Sequence, residues 1–153
     1  MTAPVALAWA RGHIGVAEDP PGSDNGPQIN AWQERYDVAG LAWCGAFAGH
    51  ALLAAGIDVP RGIVWVPTIE EWARTGTHGF SWHTWEDRAP GDLVVFGFGE
   101  DGRANHVGLL DEDRIHTIEG NTPADERGGN ECVARRRRDP SQVRGCARPP
   151  WPG

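Results

Sequence analysis

The chain is predicted to adopt an α+β fold, with N-terminal helices packed on a C-terminal antiparallel sheet of about five strands. Two features carry this reading. The first half places apolar residues at helical spacing, whereas from Pro90 onward short apolar segments alternate with turns rich in Gly, Pro and Asp. Helices first and a meander of strands after them argue for α+β over a parallel α/β sheet. At 153 residues, with no internal repeat, one domain with a real core is expected.

Residues 4–17 read as a first helix, with Val5, Ala8, Trp9, Gly12 and Val16 suggesting one face. Residues 18–27, Glu-Asp-Pro-Pro-Gly-Ser-Asp-Asn-Gly-Pro, form a loop by every local sign. Its oxygens could hold calcium, but Asx-turns and a helix cap are the favoured reading. Ile29, Trp32, Gln33 and Tyr36 follow helical spacing. A third helix over 43–55 is apolar on nearly all faces, ends at Gly56 and should be buried. The capping-box pattern Thr68-Ile69-Glu70-Glu71 predicts a short helix over 69–75. Residues 76–90 read as irregular. Strands are predicted over 93–98, 106–110, 114–121, 131–137 and 143–147.

Composition narrows the partners. A net charge of −7 argues against general nucleic-acid affinity. Every basic residue is arginine, and the run Arg135-Arg136-Arg137-Arg138 reads as a solvated edge. No apolar run is long enough to span a membrane, and the first residues lack the pattern of a secretory signal. Of three cysteines, Cys132 and Cys146 flank a turn near Pro140. Hairpin pairing there would set them opposite each other, as free thiols or as a disulfide. No spacing resembles a zinc site.

The chemistry centres on Cys44. It begins the buried helix, where the helix dipole favours a thiolate. A lone cysteine is as readily a small core residue, so it needs partners. Thiol catalysis requires a base and a group that orients the base. His106 opens a strand beside a turn and can reach a cleft. Glu119 and Asn121 stand two apart on the neighbouring strand, which places them on one face. Each alone has an ordinary structural reading as a cap, a solvated strand residue or a turn.

Four segments in this order, Trp43-Cys44-Gly45-Ala46-Phe47, Pro90 through Phe96, Asn105-His106-Val107-Gly108 and Glu119-Gly120-Asn121-Thr122, resemble the CHAP family of cysteine, histidine-dependent amidohydrolases/peptidases. That family belongs to the papain-like superfamily. The stretches Gly15-Val16-Ala17-Glu18 and residues 22–27 also resemble a subgroup of it, so the likeness spans nearly the whole chain. The resemblance implies a catalytic domain over residues 1–148 with a linker-like tail at 149–153. It implies Cys44 as nucleophile, His106 as base, Glu119 as orienting acid, Asn121 as an auxiliary polar residue near the histidine, and Asp92 in a structural role. Some relatives bind calcium through an aspartate-rich loop just before the cysteine. Residues 37–42 here lack such a cluster, so no cofactor is expected and calcium is not favoured. The implied partner is bacterial peptidoglycan, cut by a monomer as an endopeptidase or N-acetylmuramoyl-L-alanine amidase. A phage endolysin made in the host cytoplasm and acting at the cell wall fits best. The rival reading is an inert wall-binding or virion structural module of the same fold, with Trp65, Trp82 and Trp85 stacking on glycan.

Overall fold

The computed structural model describes residues 3–152. Four α-helices come first: α1 (Ala3–Arg11), α2 (Pro27–Glu34), α3 (Cys44–Ala54) and α4 (Val66–Thr75). Six strands follow: β1 (Ser81–His83), β2 (Leu93–Phe96), β3 (His106–Leu110), β4 (His116–Pro123), β5 (Glu131–Arg137) and β6 (Val143–Arg148). They form one antiparallel sheet in the order β1-β6-β2-β3-β4-β5.

The α+β class is as the sequence predicts, with differences in element ends, one added strand and the partner of the last strand. Helix α1 stops at Arg11 instead of residue 17. Its continuation is drawn off by the sheet: the Gly15 N–H donates to the Val133 carbonyl, and Gly15 has a φ of 100°. Helix α4 begins three residues earlier than the capping-box pattern suggests. Pro67 occupies its first turn and leaves Thr68 inside the helix, where no side chain caps it. A sixth strand, β1, comes from the segment read as irregular, and pairs Trp82 with Ala147.

The hairpin expected around Pro140 is absent. A 3-10 turn at Pro140–Gln142 carries the chain away from β5, and β6 crosses back to pair with β2 and β1. Cys132 and Cys146 therefore lie on strands separated by β2, β3 and β4, and both are free. A turn signal names a reversal but not the partner strand, which here is chosen by the apolar edge of β2.

The core lies between α3 and one sheet face. Ala46, Phe47, Ala51 and Leu52 pack with Leu93, Val95, Val107, Leu109, Ile118 and Val133 in one cluster. Alternation puts Val94, Phe96, Leu110 and Cys146 on the other face. Trp32 bridges Phe47 and Trp43 with ring centroids 5.3 and 5.9 Å apart, fixing α2 against the start of α3. Gly120 lets β4 approach this helix, since a side chain there would strike Phe47 and Trp43. Asp92 is fully buried and structural: it accepts from the Ala89 N–H at 2.8 Å and from Arg148 at 2.8 and 2.9 Å, tying the turn before β2 to β6. At the C-terminal end, Trp151 packs on the core.

Candidate active site

Cys44 is the first residue of α3, and no side chain caps that end of the helix. The thiol is buried among apolar neighbours but lines a cleft of about 370 Å³ with Val64, Trp65, Pro67, Arg103 and Asn105. His106 lines an adjoining cleft of about 290 Å³ with Phe98, Asn105, Asn121 and Arg138. Asn105 lines both clefts.

The register explains how Glu119 reaches His106. Leu109 pairs with Ile118 and Leu110 with Thr117, so Glu119 lies over Gly108. A Cβ on Gly108 would come 2.6 Å from the Glu119 Cγ, so the glycine leaves the path the carboxylate takes. His106 Nε2 then lies 2.7 Å from Glu119 Oε1. This contact occupies one ring nitrogen and leaves Nδ1 as the free one. The Cys44 sulfur is close enough to interact with the ring. Phe96 and Phe98 flank the imidazole, with centroids 6.0 and 5.4 Å away.

The electrostatics follow from burial and these neighbours. Burial alone would lower the His106 pKa. The Cys44 sulfur and the Glu119 carboxylate outweigh it and raise the value to about 9. Burial likewise opposes ionisation of Glu119, but hydrogen bonds from His106 and Arg138 bring its pKa down to about 2. Glu119 is thus a fixed, fully buried carboxylate. Thr117 Oγ1 donates to its Oε2 at 2.5 Å.

Arg138 was not a candidate on sequence grounds. Its guanidinium clamps Glu119 at 2.6 and 3.1 Å and lies 4.7 Å from the Phe98 ring centroid. The basic run does begin on an edge strand, β5, with Arg135 and Arg137 exposed as expected, but Arg136 is buried and Arg138 half-buried. Arg135 bonds Asp111 and Asp113, the buried Arg136 bonds Thr122 Oγ1 and the Pro123 carbonyl, and within the run Arg137 is exposed with no side-chain partner among the described residues. A charge run read without its cross-strand acceptors carries no signal that would single out Arg138.

Asn121 lines the His106 cleft, but its side chain turns elsewhere. Its Oδ1 accepts from the Trp43 N–H at 2.7 Å, and its Nδ2 donates to Glu131. Two-residue parity fails here because Asn121 has a φ of 60° and the β4–β5 register shifts between Glu119 and Thr122. The residue anchors the peptide just before Cys44 instead of sharing the histidine with Glu119.

A cleft of about 620 Å³ adjoins the Cys44 cleft and is lined by Val38, Leu41, Ala42, Arg61, Gly62, Val64 and Trp65. Trp65 and Leu41 are 69% and 59% exposed, so this apolar floor is open to a ligand. Trp82 and Trp85 are half-buried and lie beneath the guanidinium groups of Arg74 and Arg88, respectively.

No protein-family profile matches the sequence, and no curated protein matches it significantly. Solved structures do match the fold. RipD from Mycobacterium tuberculosis, described as a non-catalytic NlpC/p60 domain protein adapted to a peptidoglycan-binding function, is 14% identical, with a TM-score of 0.56 over 95% of this chain and 94% of that one. The P60 domain of antigen MAP1272c from M. avium paratuberculosis is 16% identical, with a TM-score of 0.57 over 96% and 91%. The wild-type endolysin LysIME-EF1 is 17% identical, with a TM-score of 0.50 over 99% of this chain and 65% of that one. The chain therefore shares the α+β fold of an NlpC/p60 domain protein, a P60 domain and an endolysin. Among the described residues no helix is long and apolar enough to cross a membrane.

Proposed function

We propose that this chain is a peptidoglycan amide hydrolase of the CHAP kind, using Cys44, His106 and Glu119, and the catalytic part of a phage endolysin. The observation that carries the reading is the buried His106–Glu119 contact of 2.7 Å beside the sulfur that begins α3. A wall-binding module has no use for a buried imidazole whose proton affinity is raised by a thiol and a carboxylate.

The chemistry follows from the arrangement. The Cys44 thiolate, paired with the His106 imidazolium, attacks the carbonyl carbon of an amide. The developing oxyanion is held by the Cys44 backbone N–H at the uncapped start of α3. His106 gives its proton to the leaving amine as the C–N bond breaks, leaving a thioester on Cys44. Water, deprotonated by His106, attacks the thioester and releases the carboxylic acid, and the thiolate–imidazolium pair is restored. Glu119 keeps the ring oriented and stabilises its charged form. The open groove beside Trp65 is suited to the acyl side of an extended, partly apolar wall peptide.

The test is mass spectrometry of purified peptidoglycan digested by the wild-type protein. New termini at an endopeptidase bond or at the N-acetylmuramoyl-L-alanine bond are expected. The second reading, a non-catalytic wall-binding module, has one observation in its favour: RipD, of similar fold, is described as non-catalytic. Wall binding without new termini would establish that reading.

A further inference from the structure

We propose that Glu18, Asp24 and Glu131 form a binding site for one hard divalent cation of the calcium class, behind the first turn of the cysteine helix. The site is separate from the stretch at 37–42 that precedes the cysteine.

Three observations carry the proposal. The first is convergence. One carboxylate oxygen from each residue lies within 4.8 Å of the other two. Backbone bonds bring them together: the Glu18 N–H donates to the Glu131 carbonyl at 3.0 Å, and Ala17 bridges Cys132. Asn130 Nδ2 adds a bond to the Glu18 carbonyl at 2.9 Å. The loop is therefore held on the edge of β5 by its main chain, and the three charges meet despite their repulsion.

The second observation is an unpartnered atom. Glu18 is 3% exposed, and its Oε1 has no hydrogen-bond partner. Its other oxygen, Oε2, accepts from the Trp43 indole at 2.9 Å, so the side chain that joins the cluster is locked in place with one oxygen unpartnered. A buried carboxylate oxygen left without a partner is costly, and a cation removes that cost.

The third observation is missing countercharge. Arginines pair with Asp58, Glu70, Asp92, Asp111, Asp113, Glu119 and Asp125, but among the described residues none pairs with Glu18, Asp24 or Glu131. The side-chain donors bonded to the cluster are the Trp43 indole and the Asn121 amide, both neutral, and the His106 charge bears on Glu131 without bonding to it. An all-oxygen donor set on a loop and a strand edge suits Ca²⁺, which tolerates irregular geometry, better than Mg²⁺.

In place of the Asx-turns expected of this loop, an ST-turn forms, with Ser23 Oγ accepting from the Asn25 N–H at 3.2 Å. Asn25 bonds Ser23 and Asn30, and the Asn30 side chain accepts from the Gly26 N–H. These bonds shape the loop while leaving Glu18 and Asp24 free to converge. Glu131, more than a hundred positions after the loop, completes the set.

Because Glu18 holds the Trp43 indole and Asn121 holds the Trp43 N–H, the ion braces the residue before Cys44. Only this last consequence rests on the proposed function. The test uses the whole chain after chelation. Tb³⁺ is titrated while luminescence sensitised by tryptophan is recorded, with Trp43 beside the site as donor, and Ca²⁺ is then added as competitor. Saturation at one ion per chain and displacement by Ca²⁺ are expected. Asp24→Asn and Glu131→Gln, both half-buried, should each weaken binding at least about tenfold and abolish the rise in melting temperature on adding Ca²⁺. Cys44→Ala should bind as the wild type does, which separates this site from the fate of the hydrolase reading. Absence of saturable luminescence, or equal affinity in both carboxylate variants and the wild type, overturns the proposal.

Discussion

Replacing Glu119 by Gln removes one charge with almost no change of shape. Bare charges separated by 2.7 Å interact by on the order of 6 kcal/mol at an effective dielectric of about 20. Most of that does not reach His106, because Arg138 binds the same carboxylate at 2.6 and 3.1 Å. The rise of His106 from 6.5 to about 9 is shared with the Cys44 sulfur, which contributes ahead of Glu119. Assigning Glu119 rather less than half of it gives about 1.4 kcal/mol, or about tenfold in imidazolium stability. The variant also leaves the Arg138 cation facing the ring, which adds to the loss. We therefore expect kcat on a defined wall peptide to fall at least about tenfold. The alkaline limb of the rate profile, set by loss of the His106 proton near pH 9, should move down by about one pH unit. The assay is kcat and kcat/KM across pH, with circular dichroism to check folding. A folded Glu119→Gln enzyme with wild-type kcat and an unmoved alkaline limb would refute the reasoning.

Cys44→Ala and Cys44→Ser should abolish wall lysis with unchanged circular dichroism; lysis at the wild-type rate by Cys44→Ala would sink the nucleophile assignment. Asn121→Ala orphans the Trp43 N–H, bonded at 2.7 Å, and should cost about 1–3 kcal/mol of stability by denaturant titration. It should lower kcat less than Glu119→Gln does, and the opposite order would reverse the two roles. Gly108→Ala places a methyl 2.6 Å from the Glu119 Cγ, so activity should fall with little loss of sheet content by circular dichroism. Stability should follow the two shifted groups. The depressed Glu119 contributes fully above about 4.5 and loses its contribution as pH falls through about 2. The raised His106 contributes fully below about 6.5 and loses its contribution as pH rises through about 9. The melting temperature of the wild type should thus exceed that of His106→Ala most between pH 4.5 and 6.5, and a gap that widens toward pH 9 would contradict the sign.

The sequence by itself determined the four helices and five of the six strands, because apolar period and turn residues are local properties. It also singled out Cys44, His106 and Glu119, since a cysteine opening an apolar helix and a histidine opening a strand are visible without a partner. Tertiary structure alone decided what those residues touch. Strand parity placed Asn121 with Glu119, yet a positive φ and a register shift send it to Trp43 instead. A turn signal joined Cys132 to Cys146, yet β6 leaves β5 and pairs beside β2. Arg138 looked like a solvated charge until the sheet laid it over Glu119 and Phe98. Glu131 had no visible link to Glu18 and Asp24 until the chain carried β5 back to the loop before α2. In each case the deciding quantity is a contact between residues distant in sequence. Such contacts are set by which apolar faces the whole chain can bury together, and no local pattern encodes them.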